Sequence, residues 1–297
     1  MKRCVLTLFL YLLIIISVSG QEGLPEYPNW VYIRVGMYHY QNGEFGNALR
    51  YFREALEQQE VFPEAEYGIG LVFREEGEYN LARQQFERAL ANESHLYIPA
   101  TRFEISYALA EIHQLTDSFV AYQRVLREII SYDTEYSAQE RLRYREAVVN
   151  TALEDGLEQC ITLYRHEADF ALQAHFQLAV QLLRTDENEE AFTHLIFTSL
   201  TQFTRIIQEI KTVIPDYGFE TIEDCLFHIN RVPSLQGYLE GTNFYQTLFY
   251  LANAFFRFDK QAQAAELWRI IQDYGEGTIW SSRARAMLIS PSTDLGY

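Results

Sequence analysis

Two imidazoles and two carboxylates fall close together at His166, Glu167, Asp169 and His175. Imidazole nitrogen and carboxylate oxygen are common zinc ligands, and a histidine can exchange a proton near neutral pH. The group sits at a predicted helix junction, however, where the plainer reading is a solvated helix end bearing a surface histidine. No metal site is assigned. The acidic run Asp186-Glu187-Asn188-Glu189-Glu190 reads as a polar turn entering a helix, whose positive N-terminal end favours Glu189 and Glu190. A phosphate-cradling glycine loop, a nucleophile elbow and a His-Glu-x-x-His motif are all missing. No catalytic residue and no cofactor is assigned, and the chain is expected not to be an enzyme.

The cysteines point the same way. Beyond Cys4 there are only Cys160 and Cys225, too few for a disulfide framework. Burial as small apolar side chains is the reading, with a bridge between the two as the alternative. Asn92-Glu93-Ser94 matches a glycosylation acceptor, but so permissive a tripeptide carries no weight.

Residues that recognise rather than react need elements to present them, and the sequence organises itself by repetition. A shift of 34 superposes Gly36 on Gly70, Gly43 on Gly77, Ala48 on Ala82, Phe52 on Phe86, Ala55 on Ala89 and Leu56 on Leu90. The placement suits antiparallel helix pairs joined by a tight turn. Gly36 and Ala48, like Gly70 and Ala82, are small where two helices approach. Gly43 and Gly77 end the first helix of each pair, where a left-handed backbone is wanted. Phe52 and Phe86 fill the space between helices.

On these residues the chain resembles the tetratricopeptide repeat (TPR) family. Residues 29–62 match its pattern with Tyr32, Val35-Gly36, Ala48, Phe52 and Ala55, and residues 63–96 with Ile69-Gly70, Phe73, Ala82, Phe86 and Ala89. His39, Glu60 and Ser94 depart from it. Three weaker units carry Ile105-Ser106, Leu109, Ser118, Tyr122 and Val125; Leu178-Ala179, Leu182, Ala191 and Leu195; and Leu251-Ala252, Phe255, Ala264, Trp268 and Ile271. The last of these also looks like the terminal repeats of bacterial periplasmic assembly proteins. The resemblance implies an all-α, right-handed α-solenoid of TPR helix-turn-helix repeats with helical insertions. Its organisation is repeat units 1–3 at 29–130, a long helical insertion at 131–169, a degenerate unit at 170–211, an irregular insertion at 212–243, and a terminal unit with capping helix at 244–290.

In such stacks the first helix of each pair lines the concave face. Those positions hold Trp30, Ile33, Met37 and Tyr40 in the first unit, Tyr67, Leu71 and Arg74 in the second, and Phe103 and Tyr107 in the third. The later units offer Phe176, Val180 and Leu183, then Phe249 and Phe256. The family's carboxylate clamp uses Lys and Asn here, so this chain does not carry it. An apolar, aromatic face suits an amphipathic helix or extended peptide of a protein partner. The alternative is that residues 136–168 or 212–243 fill the groove from within. Other readings are a binder of small apolar ligands and an accessory subunit of an envelope transport or assembly system.

The N-terminus sets the expected location. Met1-Lys2-Arg3, an apolar run from Cys4 to Ile16, and Ser17-Val18-Ser19-Gly20 read as a signal peptide (1–20) cleaved after Ser19 or Gly20, with a linker at 21–28. The apolar run is shorter than the roughly 20 residues that span a bilayer core. Cys4 precedes it, which disfavours a lipoprotein. A periplasmic or secreted protein follows, with membrane contact only through an uncleaved signal. A net charge of −17 repels phosphate backbones, so nucleic acid is not an expected partner.

Overall fold

A computed structural model describes residues 28–132, 138–167, 169–229 and 232–292. The expected signal peptide and residues 21–27 of the linker lie outside the described residues. The chain divides into two units, Met1–Pro99 and Ala100–Tyr297. Both are all-α among the described residues, built from antiparallel helical hairpins stacked in solenoid fashion.

The first unit comprises α1 (Asn29–Gln41), α2 (Phe45–Gln58), α3 (Pro63–Glu75) and α4 (Tyr79–Ala91). Ala48, Phe52 and Ala55 recur at helical spacing on α2 and are buried, which gives that helix one apolar stripe. Pro63 opens α3 at a position whose N–H would have no helical partner. Each hairpin closes on itself, α2 packs on α3, and α1 also meets α3.

The glycines explain how the hairpins close so tightly. A Cβ on Gly36 would lie 2.5 Å from the Phe52 ring, and one on Gly68 would also lie 2.5 Å from it. Phe52 is thus held between α1 and α3 by two missing methyl groups. Gly70 does the same for Phe86, at 2.5 Å. Both rings are fully buried, and truncating a buried Phe to Ala costs about 3–5 kcal/mol.

The second unit comprises α5 (Thr101–Leu115), α6 (Phe119–Ser131), α7 (Ala138–Asp155), α8 (Leu157–Leu163), α9 (Asp169–Arg184) and α10 (Asn188–Val213). After these come α11 (Ile222–Ile229), α12 (Pro233–Gly241), α13 (Phe244–Arg257), α14 (Gln261–Tyr274) and α15 (Ile279–Ile289). Hairpins α5/α6, α9/α10 and α13/α14 stack through α6 on α9 and α10 on α13, and α15 covers α14. In the last hairpin Trp268 is buried and donates Nε1–H to Asn253 Oδ1 at 3.0 Å.

One turn recurs in all of these hairpins. The second residue after the first helix has positive φ: Gly43 at 74°, Gly77 at 78°, Asp117 at 52°, Asp186 at 60° and Asp259 at 59°. The next N–H reaches back five residues in each case: Glu44 to His39, Glu78 to Phe73, Ser118 to His113, Glu187 to Leu182 and Lys260 to Phe255, at 2.8–3.0 Å. This is the hydrogen bond of a left-handed helix cap. Glycine and aspartate are interchangeable here because both reach that region at low cost.

The segments that break the repeat clothe one helix. Helix α10 runs 26 residues, and α7, α8 and α11 pack along it. Gly156, at φ 89°, separates α7 from α8. Cys160 and Cys225 are buried and free rather than bridged, and burial pushes both thiols up to about 12.

Candidate functional site

On the first unit, Trp30 remains 50% exposed, with the Arg34 guanidinium 5.8 Å above its ring. Ile33, Met37 and Tyr40 are half-buried and rest on a core of Ala48, Phe52, Ile69 and Val72. The Tyr40 hydroxyl donates to Glu75 Oε1 at 3.0 Å and accepts from Arg74 Nη2 at 3.0 Å. Arg74 and Glu75 are themselves 2.7 Å apart, so the three side chains tie α1 to α3. Burial raises the Tyr40 hydroxyl above its ordinary value, opposed by the Arg74 charge. Tyr67 is half-buried, its ring 5.8 Å from Phe86.

Leu71 corrects the sequence reading. It is only 5% exposed, because α3 is packed by α1, α2 and α4, which leaves Tyr67 but not Leu71 partly open.

Of the candidate positions in the second unit, Phe103, Tyr107, Val180 and Phe256 are half-buried and the rest are buried. Phe103 stacks on Phe170 at 4.5 Å and 6° and meets Tyr132 edge-on. The Tyr107 hydroxyl donates to the Phe170 carbonyl and accepts from the Ala174 N–H at 3.0 Å. The first turn of α9 therefore occupies the site that Phe103 and Tyr107 were expected to offer a partner. Phe176, Leu183 and Phe249 are buried; Phe249 lies against Trp280 and Phe256 against Trp268. In none of these contacts does the cover come from 136–168 or 212–243, the segments the sequence had suggested.

A second site went unrecognised in the sequence. Between α6, α7, α9 and α10 lies a cavity of about 520 Å³. His166, His175 and His194 line it, and all are buried. This corrects the expectation of a surface histidine at the 166–175 junction. His175 Nδ1 and His194 Nδ1 are 2.8 Å apart, one donating to the other. His194 Nε2 lies 3.6 Å from Glu190 Oε1, and Arg127 grips the Glu190 carboxylate at 3.1 and 3.2 Å. The ring faces of Phe197 and Tyr144 complete the wall: His175 stacks on Phe197, and His166 meets it edge-on at 5.0 Å. The His166 N–H is seated on Thr204 Oγ1 at 3.2 Å.

Burial keeps His175 and His194 neutral. Burial first, then His194, His166 and Arg145, hold His175 well below the ordinary imidazole range. Burial and the Arg145 charge, against the pull of Glu190, bring His194 down to about 4. Glu167 turns away and accepts from Gln208 Nε2 at 2.9 Å. Among the described residues no group of three His, Cys, Asp or Glu is placed to hold a metal ion. Of the residues that drew attention in the sequence, His166 and His175 line the cavity and Glu167 does not. The two histidines join His194, which lies on another helix.

The chain is similar to an uncharacterized protein of Treponema pallidum, 26% identical over 226 residues. That match takes in 75% of this chain but 60% of the relative, so the chain spans less than two thirds of its length. An uncharacterized protein of Borreliella burgdorferi is 20% identical over 276 residues, 84% of this chain and 85% of that one. Among solved structures, pilF of Pseudomonas aeruginosa is 16% identical with a TM-score of 0.34, covering 87% of this chain and 96% of pilF. The C-terminal part of a TPR repeat-containing protein of Cytophaga hutchinsonii is 10% identical with a TM-score of 0.29, covering 85% and 98%. No protein-family model matches the chain.

Proposed function

We propose that the chain is an exported, non-catalytic scaffold that binds a protein partner on the α1/α3 face of its first unit. The observation that carries this reading is the contrast between units. Trp30 stands half exposed on the helix face that carries the partly open Ile33, Met37 and Tyr40, whereas Phe176 and Phe249 are buried and Phe103 stacks on Phe170. A half-exposed tryptophan on an apolar helix face is a common anchor of a protein interface. Positions 30, 33, 37 and 40 follow one helical stripe, which suits an amphipathic helix or extended apolar segment of the partner. An acidic chain with this face is not a nucleic-acid binder. The basic start and apolar run at residues 1–20 support reading the protein as periplasmic or secreted, with membrane contact only through a retained leader.

The test is capture of the partner from an envelope fraction, its identification, and titration of the purified partner against variants of the full chain. Trp30→Ala and Tyr67→Ala should each weaken binding by tenfold or more at unchanged helical content, since anchor residues contribute about 2 kcal/mol or more. Unchanged affinity in both variants contradicts the reading.

A further inference from the structure

We propose that the cavity between α11, α12, α13 and the turn from α14 into α15 binds a neutral sugar, stacking its C–H face on tyrosine and meeting its hydroxyls with carboxamide and carboxylate side chains. The cavity lies wholly in the second unit and stands independently of the α1/α3 face. It encloses about 490 Å³, in the range of pockets that hold a small organic molecule. Leu226, Ile229 and Phe244 line it and are buried. Tyr245 and Tyr274 line it as well, and Gly275 lets them approach each other. A Cβ on Gly275 would lie 3.2 Å from Tyr245 Cδ1 and 2.6 Å from the Ile271 carbonyl. The Tyr245 hydroxyl then reaches the Tyr274 carbonyl, donating at 2.7 Å. Tyr245 is thereby pinned. Tyr274 is 38% exposed, and neither its ring nor its hydroxyl meets a partner among the described residues. A ring with that much open surface at a cavity wall is a platform for stacking.

Four planar polar side chains share the same cavity: Gln236 and Glu240 of α12, Asn243, and Glu276 of the α14–α15 turn. None of them makes a side-chain hydrogen bond or ion pair among the described residues. Elsewhere in the second unit Gln202, Gln208 and Gln263 each donate to another part of the chain. Asn243 is the clearest case. It holds the N-cap position of α13 at φ 54°, yet its side chain caps nothing, forgoing the hydrogen bond for which asparagine is favoured there. Carboxamides donate and accept, and carboxylates accept, which is the mixed set that hydroxyls need, each being donor and acceptor at once. An apolar ligand would leave these groups unpaired on closure, at a desolvation cost. A cation seeking ring faces would meet the Arg283 guanidinium, 4.9 Å from the centre of the Trp280 ring that also lines the cavity. A sugar uses both halves of the wall, because its C–H face suits the electron-rich face of an aromatic ring and its hydroxyl edge suits the four polar side chains.

The test is calorimetric titration of the full chain with maltotriose, cellotriose, tri-N-acetylchitotriose, choline and octanol. At least one of the three sugars should bind saturably at one per chain, with choline and octanol at least about tenfold weaker. Tyr274→Ala should weaken the bound sugar about tenfold, the loss of one stacking contact. Gln236→Ala should weaken it too, and Val120→Ala, on α6 and away from the cavity, should not. A change in tryptophan fluorescence on sugar binding should vanish in Trp280→Phe. Circular dichroism separates loss of binding from loss of fold. Failure of all three sugars to bind, choline or octanol binding as tightly as the best of them, or wild-type affinity in Tyr274→Ala overturns the proposal.

Discussion

Adding a methyl group at Gly68 should destabilise the first unit, although alanine is the better helix former. Alanine in place of glycine inside a helix gains about 0.5–1 kcal/mol. At Gly68, however, the new Cβ falls 2.5 Å from the Phe52 ring, roughly an ångström inside ordinary carbon–carbon contact. The ring cannot swing aside, because Gly36 grips it from the opposite helix at the same 2.5 Å and no part of it reaches solvent. Overpacking of this kind costs about 1–3 kcal/mol, so the net change is a loss of about 1–2 kcal/mol. Gly46 lies on α2 with nothing within 4 Å of its would-be Cβ, and Gly46→Ala should be neutral or slightly stabilising. Urea unfolding followed by circular dichroism gives the three values. The double variant Gly68→Ala/Phe52→Leu should recover part of the loss, giving a coupling energy of about 1 kcal/mol between the positions. If Gly68→Ala is as stable as Gly46→Ala, the ring is not clamped and the packing argument fails.

Acidification should unfold the second unit through its buried histidines. His175 and His194 are held neutral below their unfolded value near 6.5, so the unfolded chain takes up protons first. Stability should fall as pH drops from about 6.5 toward 4, by at most about 1.4 kcal/mol per pH unit per group; His194→Gln should flatten the decline in pH-dependent melts. At the hairpin turns, Asp117→Gly should be neutral or raise the melting temperature. Asp117→Val should lower stability by about 1–2 kcal/mol, because a β-branched residue resists φ 52°. Cys160 and Cys225, buried with thiols near 12, should resist maleimide in the native protein and react in urea; rapid native labelling contradicts their burial.

The first two hairpins were legible because Gly36/Gly70, Ala48/Ala82 and Phe52/Phe86 keep residue identity where close packing leaves no alternative. The later turns were not, because Asp117, Asp186 and Asp259 preserve a backbone conformation rather than a residue type. Leu71 misled because helical position alone does not tell how many neighbours a helix acquires, and α3 gains one that α1 lacks. The histidine cavity was illegible for a different reason. His166, His175 and His194 meet only when the α9/α10 hairpin closes, and Arg127 and Arg145 arrive from α6 and α7. The one local trace was the pairing of Glu190 with His194 a helical turn apart.

The most direct measurement is photocrosslinking from inside the source cells with a benzophenone amino acid at position 30 or, separately, at position 103. A discrete adduct with one protein from position 30 and none from position 103 is the predicted result. An adduct from position 103 but not from position 30, or none from either, would contradict a partner-binding face on α1 and α3.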